Sequence, residues 1–196
     1  MSANQKVNKK VVISGMLGNG LEWYDYALYG QLSFVFAEVF FPSNDPSVSL
    51  IMTYLTFAVG FVFRPLGAVL FGRIGDKFGR KKALVTSMIL MAGATGCLGL
   101  LPTYDTIGIF APILLILIRI LQGLSLGGAF SGSMSYVVEH APSNKRATVG
   151  SVTILSLVLG FLMGSLVATL VSSSMSTEDF HDWGWRLPFF LGVLIG

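Results

Sequence analysis

Residues 18–30 read GNGLEWYDYALYG, and this stretch places two carboxylates, Glu22 and Asp25, inside a long apolar run. The run begins after Lys10 and continues past Phe36, which is long enough for a helix that crosses a membrane. Because a helix rises about 1.5 Å per residue, Glu22 should lie near the middle of a bilayer core about 30 Å thick. A charged side chain at that depth costs about 2.5–3.5 kcal/mol, so we expect both acids to face a charge partner or a water-filled cavity.

A helical projection puts the polar side chains of this helix on one stripe. Asn19, Glu22, Tyr26 and Tyr29 share the stripe, with Asp25 at its edge. The opposite side carries apolar and aromatic residues: Leu17, Leu21, Tyr24, Leu28 and Leu32. The pattern predicts one face towards lipid or other helices and one face towards a cavity, as in a transport helix.

The composition is that of an integral membrane protein. Apolar residues make up 53% of the chain, charged residues 12%, and the mean hydropathy is +0.73. The net charge of +3 does not indicate a nucleic-acid binder, because the basic residues lie between the apolar runs. Cys97 is a single cysteine, no His or Cys spacing indicates a metal, and no GxxxxGK[ST] loop indicates ATP. We therefore expect no cofactor and a proton gradient as the energy source.

The apolar runs predict an all-α, polytopic membrane bundle formed by residues 1–196 as one transmembrane domain. Five runs are long enough to span a membrane and a sixth begins near the end of the sequence, where we expect it to be cut short. The predicted spans are 11–36, 48–71, 83–101, 109–138, 148–171 and, in part, 187–196.

The distribution of lysine and arginine predicts the orientation of the bundle. Basic residues lie before the first span, between the second and third, and between the fourth and fifth: Lys6, Lys9, Lys10, Arg73, Lys77, Arg80, Lys81, Lys82, Lys145 and Arg146. The alternate loops, 42–47, 102–107 and 172–183, contain neither lysine nor arginine, and we read 172–183 as an exposed polar loop. The positive-inside rule then predicts a cytoplasmic N-terminus.

A second intramembrane charge is Arg119, in the fourth span, with Gln122 on the same helix face. The acids available to Arg119 are Glu22 and Asp25. An acid that alternates between an arginine and an apolar surrounding takes up and releases a proton, which favours proton coupling. The alternative is a static ion pair that only holds two helices in register.

Several motifs resemble those of the major facilitator superfamily. They are GRIGDKFGRKK at 72–82, RILQG at 119–123, EHAPSNKRAT at 139–148 and WGWRLPF at 183–189. The stretch at 18–30, FFP at 40–42 and FRPLG at 63–67 are similar to its metabolite:proton symporter branch, which includes proline/betaine transporters and carriers of α-ketoglutarate, citrate and shikimate. The resemblance implies twelve helices in two six-helix halves in a bacterial-type inner membrane, with this chain as the N-terminal half and the C-terminal half missing.

The resemblance also implies roles for particular residues. Asp25 and Arg119 match an acid and an arginine implicated in proton coupling. Gly72, Asp76, Gly79 and Arg80 match the cytoplasmic motif that latches the two halves and gates the inner side, whereas Lys81 and Lys82 fit a plain positive-inside loop. Relatives commonly read Gly-Gly-Glu where this chain has Gly127, Gly128 and Ala129, which puts a coupling role there in doubt and shifts more of it to Glu22.

Other residues are weaker candidates for a functional role. Trp23, Tyr24, Tyr26 and Tyr29 are either packing residues or part of an aromatic cage for a quaternary ammonium. Arg64 is expected to extend to the cytoplasmic surface, with a direct substrate role as the alternative. Gly160, Gly164 and Ala168 have the spacing of a packing face in the fifth span.

These observations together predict a transporter rather than an enzyme. The expected function is proton symport of a small polar metabolite, of the proline or glycine betaine type, by alternating access. Glu22, Asp25 and Arg119 would couple protons, and Asn19, Tyr26, Tyr29 and Gln122 would line the cavity. Two alternatives stay open: symport of a carboxylate metabolite, and a truncated membrane half-protein that does not transport.

Overall fold

The computed structural model describes residues 9–139 and 146–195, and every regular element in these two ranges is helical. The α-helices are α1 (Lys9–Gln31), α2 (Ser33–Phe40), α3 (Pro46–Phe78), α4 (Arg80–Gly99), α5 (Tyr104–Ile107), α6 (Phe110–Glu139), α7 (Arg146–Ser173), α8 (Thr177–Asp182) and α9 (Leu187–Ile195). A 3₁₀ turn, Gly184–Arg186, precedes α9. Lys6, residues 140–145, Gly196, the surroundings of Gly128 and the side chains of Lys9, Lys10, Ala129 and Arg146 lie outside the described part.

Each predicted span is helical, but two boundaries differ from the expectation. The first span is two helices, α1 and α2, that meet at Leu32. The expected loop at 72–82 is wrong, because α3 continues to Phe78 and α4 starts at Arg80. Gly79 alone makes the turn, with φ of +93°, a conformation that side chains disfavour. One glycine is therefore enough to reverse the chain there.

Four helices in the described ranges are long and apolar enough to cross a membrane. They are Pro46–Phe78, Arg80–Gly99, Phe110–Gly127 and Gly150–Ser173. The central helix α1 is not one of them, since Asn19, Glu22 and Asp25 lower its hydropathy. Its polar side chains are instead buried among other helices.

Glycines permit the closest helix contacts in the bundle. A Cβ added to Gly67 of α3 would overlap the carbonyl group of Leu124 in α6, and one added to Gly123 would overlap that of Gly60. The backbones of α3 and α6 therefore touch without intervening side chains. α1 and α7 meet in the same way, because a Cβ on Gly160 would overlap the carbonyl group of Gly20. The predicted packing face of the fifth span is confirmed.

Aromatic side chains fill the end of the bundle where α2, α8 and α9 meet. Phe36, Phe40, Trp185 and Phe189 are fully buried and contact one another edge-on or stacked. The segment 172–183 is not simply an exposed loop, because it contains α8, from which Phe180 enters the core. Amphipathic α8 thus closes this end of the bundle.

Candidate functional site

The central feature of the bundle is an ion pair between α1 and α6. Arg119 Nη1 lies 2.7 Å from Asp25 Oδ2, and the two side chains are 2% and 0% exposed. Gln122 Nε2 donates to Asp25 Oδ1 at 2.9 Å, and Thr95 Oγ1 of α4 donates to the same oxygen at 3.2 Å. Three donors from two helices therefore hold the Asp25 carboxylate, as a charge in a low-dielectric interior requires.

An aromatic side chain supports the arginine of this pair. The Arg119 guanidinium carbon lies 3.9 Å from the centroid of the Tyr29 ring, in cation–π contact. The Tyr29 hydroxyl donates to the Thr53 carbonyl oxygen at 2.8 Å, and the Tyr29 ring stacks on Phe57 of α3. Tyr29 thus fixes Arg119 relative to α3 as well as α1.

A second ion pair joins α1 to α3. Arg64 Nη2 lies 2.8 Å from Glu22 Oε1, and the Glu22 side chain is 3% exposed while that of Arg64 is 30% exposed. The guanidinium of Arg64 also lies 4.6 Å from the Phe61 ring centroid and 5.2 Å from that of Tyr26. The expectation that Arg64 extends to the cytoplasmic surface is wrong, because its head turns inward to Glu22. The two acids do not share Arg119: each has its own arginine.

Both pairs retain polar atoms without a partner. Within the described residues, no hydrogen-bond partner is found for buried Arg119 Nε and Nη2, Gln122 Oε1 or Glu22 Oε2. Buried polar atoms are nearly always satisfied in folded proteins, and exceptions concentrate where function requires them. The cluster can therefore form more hydrogen bonds than the present arrangement uses.

The structure divides the other predicted site residues among different neighbours. Asn19 turns to α7, where its Nδ2 donates to Ser156 Oγ at 2.9 Å, whereas Tyr29 and Gln122 join the Asp25 pair. Tyr26 is partly exposed and stacks on Phe61. Tyr24 is buried against α9, where its hydroxyl donates to the Pro188 carbonyl oxygen. Tyr24 is thus set apart from Trp23, Tyr26 and Tyr29, and a role of these residues as part of an aromatic cage stays a prediction.

The motif residues at the junction of α3 and α4 lie apart from both ion pairs. Asp76 Oδ1 and Arg80 Nη2 are 3.5 Å apart, and both side chains are mostly exposed. An exposed pair of this kind contributes little to stability. Gly72 has open space at its Cβ position, and Gly79 supplies the turn.

Sequence reasoning missed Thr95, Phe57 and Phe61. Thr95 is one of three hydroxyl residues in the predicted third span, with Thr86 and Ser87, and its polarity was the available signal. The two phenylalanines carried no signal, because an aromatic residue in a membrane helix is ordinary. Across the residues that the structure covers, no group of three His, Cys, Asp or Glu side chains is arranged to hold a metal ion.

Residues 11–196 match the sequence model of the protein family described as "Sugar (and other) transporter". The chain belongs to this transporter family. The family is of the major facilitator superfamily, so the expected superfamily is confirmed. The chain accordingly belongs to a family of multi-pass membrane transporters, and the relatives it matches are transporters and not enzymes.

The curated relatives that the chain matches include transporters of proline and betaine. The chain is 43% identical over 188 residues to the proline/betaine transporter of Escherichia coli K12, and 44% identical to the glycine betaine/proline/ectoine/pipecolic acid transporter OusA of Dickeya dadantii. Each match covers 96% of this chain and 38% of the relative. The chain therefore spans less than half the length of these relatives.

Solved structures support the fold. The partially occluded, inward-open xylose transporter XylE from E. coli matches with a TM-score of 0.84 at 20% identity, over 97% of this chain and 47% of that one. The inward-open form matches with a TM-score of 0.82. At this identity the likeness shows the fold alone, which is that of one half of a major facilitator protein.

Proposed function

We propose that this chain is the N-terminal, proton-coupling half of a symporter for zwitterionic osmolytes of the proline and glycine betaine type. The observation that carries the proposal is the sealed Asp25–Arg119 pair at the centre of a bundle whose relatives are named proline/betaine transporters. An acid and an arginine buried in a membrane are costly, and such residues mark ion and substrate pathways. The energy source is the proton gradient, and no cofactor is needed.

In the proposed mechanism, protonation of Asp25 or Glu22 weakens its ion pair and frees the helices to move. Arg119 is the charge partner of Asp25. Tyr29, Gln122 and Asn19 are buried in the present arrangement, and together with Tyr26 they line the substrate cavity once the helices move apart. Binding of substrate and proton together permits the halves to rock and opens the cavity to the other side. Gly72, Asp76, Gly79 and Arg80 act as the inner gate.

The proposal includes an inner-membrane location with a cytoplasmic N-terminus. It is supported by Arg73 to Lys82 at the α3–α4 junction and by the absence of lysine and arginine from the segments 42–47, 102–107 and 172–183. The second membrane half that completes the transporter would be supplied by further polypeptide.

Uptake of labelled glycine betaine or proline into proteoliposomes tests the proposal, using the complete polypeptide that carries this chain. We expect accumulation that needs an inward proton gradient and is abolished by a protonophore. Uptake of labelled α-ketoglutarate or citrate, with no uptake of proline or glycine betaine, would instead identify a carboxylate symporter. Absence of uptake of any of these would contradict the proposal.

A further inference from the structure

The two ion pairs differ in how well a substrate can reach them. The Asp25 carboxylate is held by Arg119, Gln122 and Thr95, and neither partner of its ion pair is more than 2% exposed. The Glu22 carboxylate has one donor, Arg64, and its second oxygen has no partner within the described residues. Of the two paired arginines, Arg64 is the more accessible to an entering anion, because its side chain is 30% exposed and that of Arg119 is 2% exposed.

We infer that Arg64 binds the carboxylate of the substrate by exchange with Glu22, and that Glu22 then takes up the coupled proton. The inference rests on the proposed function and names the group that recognises the substrate. In this step the Arg64–Glu22 contact breaks, Arg64 donates to the substrate carboxylate, and Glu22 binds one proton from the solution. Arg64 has one anionic partner both before and after the step, so charge is balanced throughout.

The surroundings of Glu22 require this exchange to include a proton. Among the described residues, the charged groups that act on Glu22 are Arg64 on α3 and Asp25 on α1; the Tyr26 ring lies beside Arg64, and Arg119 of α6 pairs with Asp25. α7, on the other side of α1, contributes glycines and Ser156. Arg119 is already neutralised by Asp25, so among the described residues a Glu22 carboxylate that loses Arg64 has no other cation nearby. An unpaired buried charge neutralises rather than persists.

Two aromatic rings keep Arg64 in place when Glu22 is neutral. Its guanidinium lies over Phe61 and Tyr26, which stack on each other at 5.5 Å. Cation–π attraction does not depend on the charge of Glu22. Arg64 therefore keeps its position and can bind the substrate after Glu22 is protonated.

The test measures proline binding and its linked proton uptake by calorimetry in buffers of different ionisation enthalpy, with the complete polypeptide in detergent. The wild type should bind proline with uptake of one proton. Glu22→Gln should bind proline without proton uptake, keep proline exchange across proteoliposomes and lose accumulation driven by a proton gradient. Arg64→Gln should weaken proline binding by about 10- to 100-fold, with partial recovery in Arg64→Lys.

Matched controls separate this step from a general loss of charge. Arg73→Gln removes an exposed arginine of the same helix, and Glu178→Gln removes an exposed acid; both should bind like the wild type. Two pairs of ligands test the role of the substrate carboxylate. Choline lacks the carboxylate of glycine betaine, and pyrrolidine lacks the carboxylate of proline. Neither should compete with proline.

Two results would overturn the inference while leaving the proposed function intact. One is a wild type that transports proline together with an Arg64→Gln variant of unchanged affinity. The other is a Glu22→Gln variant that still takes up one proton per proline. A wild type that neither binds nor transports any of the tested osmolytes or carboxylates would overturn both the proposed function and the inference. If Arg64→Gln does not fold, the neutral and near-isosteric Glu22→Gln decides the outcome.

Discussion

Arg119 and Asp25 form an ion pair of 2.7 Å although they are separated by 94 residues in sequence. Both side chains are buried, so the pair has lost its water and depends on Gln122, Thr95 and the Tyr29 ring for compensation. Replacing a complete buried pair can cost little, whereas removing one partner is severe, because the other charge is left alone. That asymmetry separates a structural role from a role in coupling.

Asp25→Asn should destabilise the bundle by about 3–5 kcal/mol, because Arg119 is then buried without an anion. Thermal unfolding in detergent would show it as a lowered midpoint. The double variant Asp25→Asn with Arg119→Gln should recover most of the stability and still fail to accumulate substrate. Asp105→Asn, at an exposed site, is the control. Proton-driven uptake by the double variant would show that the pair has a structural role and no role in coupling.

Gly67→Ala should destabilise the protein by about 1–3 kcal/mol, since the added methyl group overlaps the Leu124 carbonyl and forces α3 away from α6. Gly93→Ala is the matched control on α4, where a Cβ meets nothing within 4 Å. That change should be neutral or stabilising, because alanine is the better helix former. Equal unfolding midpoints for the two variants would contradict the close α3–α6 contact.

Gly79→Ala should cost about 1–3 kcal/mol through backbone strain alone, because φ of +93° at this turn excludes most side chains although the space around it is open. Gly72→Ala provides the comparison for stability, since it lies within α3 and also has open space. The measurement is thermal unfolding of both variants. A neutral Gly79→Ala would mean that another residue makes the α3–α4 turn.

The proposed orientation predicts which side of the membrane a thiol reagent reaches. Cys97 is the chain's own cysteine and is replaced by serine first. Lys82→Cys should then react with an impermeant maleimide only in inside-out vesicles. Asp105→Cys should react only in cells whose outer membrane is permeabilised and whose inner membrane is intact. The reverse pattern would place the N-terminus outside. Labelling of both positions from one side would contradict the predicted alternation of loops.

Much of the fold was predictable because membrane helices are long, apolar and bounded by polar segments. The error at 72–82 had a simple cause: glycines and charges there looked like a loop, but helical residues at a membrane surface can also be polar, and Gly79 alone turns the chain. The prediction of an exposed loop at 172–183 was also wrong. The segment contains the short helix α8, whose Phe180 is buried, and composition alone did not reveal this helix.

The sequence by itself determined the membrane class, the order of the spans and the presence of buried charges, since these depend on hydropathy along one chain. Only the tertiary structure decided which charges meet. Glu22 and Asp25 are one helical turn apart, and nothing in their local sequence distinguishes their partners. Arg64 reaches Glu22 from α3 and Arg119 reaches Asp25 from α6, and these ion pairs depend on distances between helices that no single helix specifies.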